Sequence, residues 1–197
     1  MGQTPSSVAD AASSGIALRE RQFARIEAYY QYQHHQLDRS GQGCYRLTVL
    51  GAWASSVPDH VYHFFRELYL ERQRLFIDLG SGDGLVACIA GLFTQAVGIE
   101  IDQGLCATAS RSIRELDLQQ RVVVVCGDYL SQNIRRADCL YLYPDKPIED
   151  LETMLAGWQG TLLIAGPHFP LRSFAPVERL TCGRDQLVAY RAVNSEQ

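Results

Sequence analysis

From Leu75 onward the chain alternates short apolar runs with longer stretches whose apolar residues recur at helical spacing. The short runs fall at about 75–79, 96–100, 121–126, 138–143 and 160–166, and each has the length and continuity of a buried strand. The stretches at 84–94, 103–117 and 147–157 fit crossover helices between them. Two further strands, at 177–182 and 186–193, are joined by Cys182-Gly183-Arg184-Asp185, a link short enough for a hairpin. The pattern predicts an α/β domain whose parallel sheet ends in an antiparallel hairpin. Upstream, residues 1–15 are small and polar without periodicity and are expected to be disordered. From Ile16 to Leu37 the chain is helix-prone, with Leu18, Phe23, Ile26, Tyr30 and Leu37 roughly on one face. A Gly/Ser-rich connection follows from Gly41 to Ser56. Pro58 then opens a helix to about Arg72, with Val61, Phe64, Phe65 and Leu68 inward. The organisation read from this is a disordered 1–15, a helical segment 16–72 and a main domain 73–197.

The stretch LFIDLGSGDG, Leu75–Gly84, is the most informative in the chain. An apolar run carries Asp78 near its end, Gly80, Gly82 and Gly84 fall at alternate positions, and an apolar helix-like stretch begins. That is a strand, a tight turn and a helix start. The glycines let backbone approach a ligand where a Cβ would clash, and the helix start offers free N–H groups. The dinucleotide fingerprint G-x-G-x-x-G would need a glycine where Leu85 stands, and the Gly-Lys-Ser/Thr of a phosphate loop is absent. Asp78 would repel a pyrophosphate and suits a cationic ligand. S-adenosylmethionine (SAM), with its ammonium and sulfonium, is such a ligand.

Asp78–Gly84, D-L-G-S-G-D-G, resembles motif I of class I SAM-dependent methyltransferases. Later segments agree in order and spacing. Ala96–Asp102 reads AVGIEID, and Glu100 at the end of that strand can accept both hydroxyls of a ribose, as acidic residues do in dinucleotide sites. Arg121–Leu130 reads RVVVVCGDYL. Gly127-Asp128 after a strand is by itself turn chemistry; the resemblance implies that Asp128 lies near the adenine amino group and that Tyr129 flanks the ring. The family's fold is a Rossmann-like doubly wound seven-stranded sheet, mostly parallel with an antiparallel last strand, here with N-terminal helices added. Its cofactor is SAM, and the contacts implied are Asp78, Gly80, Ser81, Gly82, Glu100, Ile101, Asp128 and Tyr129.

The acceptor side is read from Ala137–Asp145, ADCLYLYPD, at the position of motif IV. It departs from the Asn/Asp-Pro-Pro-Tyr/Phe of enzymes that methylate amino groups of nucleic acids and glutamine. It is similar to the Y-L-Y/L-x-P ending found in small prokaryotic protein-lysine methyltransferase-like proteins. Gly51, Trp53, Ser55 and Pro58 resemble a further segment of that group, and so does Gly166–Pro170. Gly127–Leu130 resembles the G-D-F-L of the non-SET histone-lysine methyltransferases. The resemblance implies methyl transfer to a protein lysine amine, with Tyr141, Tyr143 and Asp145 facing the acceptor. Asp145 equally suits a cap for the helix that Pro147 would open. His168 reads either as a general base or as a structural residue, and Trp53 either closes over the cofactor or packs. Two alternatives stay open: O- or N-methylation of a small molecule, with the aromatic N-terminal helix as a lid, and SAM binding without catalysis by a sensor or scaffold.

Composition narrows the partners. The 197 residues carry a net charge of −4 and no conspicuous basic run, which disfavours strong nucleic-acid binding through phosphates. The six cysteines are scattered without a C-x-x-C pair, so no zinc pattern is present. His34 and His35 are adjacent and on a helix point in different directions, which disfavours a shared metal. No apolar run reaches the length of a bilayer span, and residues 1–15 lack the apolar core of a signal peptide, so a cytoplasmic protein is expected. The Tyr-, Gln- and His-rich helix near the N-terminus suits either a cover for the site or a surface for a second copy.

Overall fold

The computed structural model describes residues 5–41, 43, 45–48, 51–166, 169 and 171–193, and side chains at 14–41, 43, 54–166, 169 and 171–193. The elements in chain order are α1 (Pro5–Arg39), β1 (Tyr45–Thr48), β2 (Gly51–Ala54), α2 (Pro58–Glu67), β3 (Leu75–Leu79), α3 (Leu85–Ala90), β4 (Gln95–Glu100), α4 (Gln103–Glu115), β5 (Val122–Cys126), β6 (Cys139–Leu142), α5 (Glu149–Met154), β7 (Thr161–Ala165), β8 (Phe174–Cys182) and β9 (Asp185–Ala192). The main sheet has seven strands in the order β5-β4-β3-β6-β7-β9-β8. β5, β4, β3, β6 and β7 are parallel, and β9 enters antiparallel between β7 and β8. The order reverses between β3 and β6, and crevices at such switch points are where open α/β sheets bind ligands.

Alternation along each strand builds two cores. Phe76, Cys139, Tyr141, Leu163 and Leu187 point to the face covered by α1, α2, α3 and α4. Ile77, Leu79, Leu140, Leu142, Ile164 and Val188 point to the face covered by α5 and Trp158. Each such strand is buried on both sides, which is why these segments read as continuous apolar runs. Pro176 and the exposed Val177 sit at a bulge in β8, an edge strand, where a missing N–H does no harm to the ladder.

Several local expectations are corrected. α1 begins at Pro5, inside the stretch expected to be disordered. Phe23, Ile26 and Tyr30 are buried, with Phe23 stacked on Tyr62 at 4.1 Å, whereas Ile16 and Leu18 are exposed. The stripe is narrower than the sequence suggests because only the middle of the helix lies against α2 and α3. The connection after Gly41 contains the two-stranded hairpin β1–β2. α3 stops at Ala90, short of the expected 94, and α5 covers only Glu149–Met154 of the expected 147–157. Gly91 follows α3 where α3 crosses β5: a Cβ there would meet Val122.

Candidate functional site

The glycine-rich loop takes its shape from its three glycines. Gly80, Gly82 and Gly84 have φ of 77°, 55° and 86°, a region that side chains disfavour. The Gly80 and Ser81 N–H groups both donate to the Ile99 carbonyl, at 2.8 and 3.0 Å, and tie the loop to the end of β4. A Cβ on Gly84 would stand 2.8 Å from that of Ala109, so the glycine also lets α4 pack close.

Glu100 locks this corner. Its Oε2 accepts the Gly82 N–H at 2.8 Å, and its Oε1 accepts those of Ile101 and Asp102 at 2.9 and 2.8 Å. The carboxylate therefore shapes the loop, and its remaining lone pairs are what a ribose could use. Asp128 accepts the Leu130 N–H at 2.9 Å, so the turn role read for Gly127-Asp128 is realised at the rim of the site. Ile101 is exposed beside it and Tyr129 is half-buried.

Asp78 lies deeper. It is 2% exposed, and its Oδ2 has no hydrogen-bond partner among the described residues; the same holds for the Ser81 hydroxyl. Burial, then the charges of Glu100 and Asp83, hold the Asp78 carboxyl well above the usual range, against a lowering hydrogen bond from Ala87. It stands behind the loop and is not part of the cleft wall.

A cleft of about 860 Å³ opens above the C-terminal ends of the strands. One end is walled by Gly80, Glu100, Ile101, Asp128 and Tyr129, and the other by Ser56, His60, Tyr141, Tyr143, Asp145 and Asp185. Of the residues expected to hold cofactor, Gly80, Glu100, Ile101, Asp128 and Tyr129 line this cavity together with Tyr141, Tyr143 and Asp145, whereas Asp78, Ser81 and Gly82 do not. Tyr141 is buried, and its hydroxyl is pushed far up by burial and then by Asp78, with Asp185 adding to the rise and a hydrogen bond from Ser56 opposing it. It stays a neutral phenol that can donate or accept a hydrogen bond. Tyr143 is 57% exposed at the mouth, and Asp145 is also exposed. The charges around the cavity are mostly acidic: Glu100, Asp128, Asp145, Asp150 and Asp185 face Lys146 and Arg184. A separate basic groove, with Arg72, Arg74, Arg135, Arg136 and Arg191, lies at the opposite ends of the strands. His168 and the Trp53 side chain lie outside the described residues.

Two groups escape the sequence reading. His34 Nε2 of α1 is 2.7 Å from Asp83 Oδ2, the Tyr30 hydroxyl donates to the Asp83 carbonyl at 3.1 Å, and Ser55 lies 3.2 Å from His34 Nδ1. His60 Nδ1 of α2 is 2.7 Å from Asp185 Oδ2 at the β8–β9 turn. Both pairs join residues far apart in the chain, and no local spacing signals them. The aspartate inside the glycine run was the one visible hint.

The family model for histone methylation protein DOT1 matches residues 49–126, which hold the glycine-rich loop and Glu100. No curated protein matches the chain. Among solved structures, an RNA methyltransferase from Salinibacter ruber in complex with S-adenosyl-L-homocysteine is 23% identical, with a TM-score of 0.59, over 70% of this chain and 93% of that one. A methyltransferase from Geobacter sulfurreducens is 18% identical, with a TM-score of 0.59, over 86% and 96%. A putative RNA methyltransferase from Pyrococcus horikoshii is 14% identical, with a TM-score of 0.57, over 75% and 91%. The chain has the fold of these methyltransferases, and the residues matched by the family model include the glycine-rich loop.

Proposed function

We propose that the protein transfers a methyl group from SAM to a lysine amine of another protein. The observation that carries the choice of acceptor is the wall around Tyr141 and Tyr143. It is acidic, through Asp145, Asp150 and Asp185, and aromatic. A cationic amine is attracted to such a wall, whereas a phosphate backbone is repelled by it.

The residues present fit SAM. Asp78 is a buried carboxylate with an orphaned oxygen next to Glu100, an arrangement that a cationic group near the loop relieves. Glu100 would hold the ribose, Asp128 and Tyr129 the adenine, and the Gly80–Gly82 backbone the amino-acid end. When bound, SAM supplies an electrophilic methyl on sulfur. The chain's own part is to seat the acceptor nitrogen in line, exclude water and keep the nitrogen's lone pair available. Tyr141, held neutral, can accept a hydrogen bond from the amine without competing as a nucleophile, and Tyr143 can stabilise the cation that forms.

The test is calorimetric titration with SAM and S-adenosylhomocysteine, followed by incubation of tritiated SAM with a lysate. Binding plus label on lysine of a protein band supports the proposal. Label confined to small molecules moves the acceptor to that class, label on RNA removes the amine reading, and binding without any transfer leaves a sensor or scaffold.

A further inference from the structure

We infer that His60 is the base that takes the proton from the acceptor amine and that Asp185 positions it; this rests on the methyl-transfer reading above. His60 stands in the first turn of α2 and Asp185 opens β9, 125 positions apart in the chain, and their side chains meet at 2.7 Å from Nδ1 to Oδ2. A carboxylate on Nδ1 fixes the proton there in the neutral ring and leaves Nε2 as the proton acceptor. Among the described residues Nε2 has no hydrogen-bond partner. The ring is one quarter exposed, at 24%, and both residues line the cleft on the side of Tyr141 and Tyr143, away from the glycine-rich loop.

The backbone around the pair is shaped for it. Gly183 has φ of 60°, and a Cβ there would stand 2.8 Å from His60 Cε1 and 3.0 Å from Nε2. A side chain at this place would be strained by the positive φ and would crowd the ring. Tyr141 lines the same cleft as the pair, so base, orienting carboxylate and phenol open onto one cavity.

A lysine reaches the site as an ammonium without a lone pair. His60 Nε2 takes one proton from it and becomes an imidazolium paired with Asp185. The freed nitrogen lone pair forms the bond to the SAM methyl carbon while the carbon–sulfur bond breaks and its electron pair passes to sulfur. S-adenosylhomocysteine and a methylated ammonium result, and the imidazolium returns its proton to water. No oxidant, reductant or metal enters.

The test uses the full chain with tritiated SAM and poly-L-lysine as the acceptor probe. His60→Gln is expected to lower kcat about 100-fold, the scale of a lost general base, with the dissociation constant for SAM and the melting temperature unchanged. His60→Ala is expected to regain part of its rate on addition of free imidazole, which a purely structural role would not allow. Asp185→Asn keeps a hydrogen bond but not the charge, and is expected to lower kcat less than His60→Gln and to leave KM for poly-L-lysine within about twofold. Wild-type rates in both His60→Gln and Asp185→Asn overturn the assignment alone. An imidazole-insensitive His60→Ala with a lowered melting temperature does the same and makes the pair a structural tie. A wild-type protein that binds SAM yet never labels poly-L-lysine counts against the amine acceptor, and the base falls with it.

Discussion

His34 Nε2 on α1 lies 2.7 Å from Asp83 Oδ2 in the glycine-rich loop, and this contact fastens the N-terminal helix to that loop. The two side chains are 16% and 8% exposed, so the pair is screened from water on most sides. Removing one partner leaves the other in a poorly solvated place. His34→Ala is expected to lower stability by about 1–3 kcal/mol and to weaken SAM binding, because the loop loses a support. Thermal unfolding and calorimetry check this. An unchanged SAM affinity would show that α1 holds the fold and leaves the loop alone.

Gly80 and Gly84 separate strain from packing. Both have φ well above zero, but a Cβ on Gly80 meets nothing within 4 Å, whereas one on Gly84 meets Ala109 at 2.8 Å. Gly80→Ala is expected to cost about 1–2 kcal/mol of backbone strain and to reduce SAM affinity more than stability. Gly84→Ala adds overpacking of about 1–3 kcal/mol and is expected to lower the melting temperature more. Equal melting temperatures for the two would contradict the close α3–α4 approach.

Asp78 links folding stability to pH. Its carboxyl is raised by burial first, then by Glu100 and Asp83, so the folded state holds this proton more tightly than the unfolded chain does. The stability contribution is complete below about pH 3.9, the unfolded value, and declines as pH rises from there towards the folded value. Asp78→Asn is therefore expected to raise the melting temperature of the ligand-free protein at about pH 8, by an amount that shrinks on acidification, while weakening SAM at least about tenfold. A variant less stable than wild type at alkaline pH would show that the carboxylate is already compensated.

At the far ends of the same strands the sign reverses. Asp138 accepts the Arg74 and Leu75 N–H groups at 2.9 and 3.2 Å and the Arg74 guanidinium at 2.9 Å. The Arg74 side-chain hydrogen bond, foremost, holds the Asp138 carboxyl below its usual range against the opposing effect of burial, and the Arg74 and Leu75 N–H groups add to the lowering. Its contribution is present above about pH 3.9 and is lost as pH falls through the lower folded value. Asp138→Ala is expected to cost about 1–2 kcal/mol at neutral pH and to make unfolding less sensitive to acid. Arg74→Ala should cost less, since that guanidinium is 88% exposed. Urea titrations at two pH values decide it.

Asp145 tests the acceptor wall. Asp145→Asn is expected to leave SAM affinity unchanged and to lower turnover about tenfold or more, an effect read with the labelled acceptor. Unchanged turnover would return Asp145 to a role at the start of the segment that leads into α5.

The glycine-rich corner was largely legible because its signals are local. Three alternate glycines force a turn, and an acidic residue closes β4 one strand away, so spacing along the chain reproduces spacing in the fold. Glu100 illustrates the limit: its position was readable, but its bonds to Gly82, Ile101 and Asp102 were not. The position of Asp78 was readable, but its burial was not: alternation on β3 turns it to the α3 side with Phe76, beneath the glycines.

What the sequence determined by itself is the order of strands and helices, the loop and the two-sided burial of the sheet. These follow from periodicities of two and 3.6 residues and from backbone freedom at glycine, which neighbouring residues settle. Only the tertiary structure decided that Tyr30 of α1 is part of the monomer's core, that His34 reaches Asp83 and that His60 meets Asp185. Those contacts arise where α1 packs on α3 and the glycine-rich loop, and where α2 meets the β8–β9 turn. They are set by which faces pack together, a property of the whole chain that no segment of it carries.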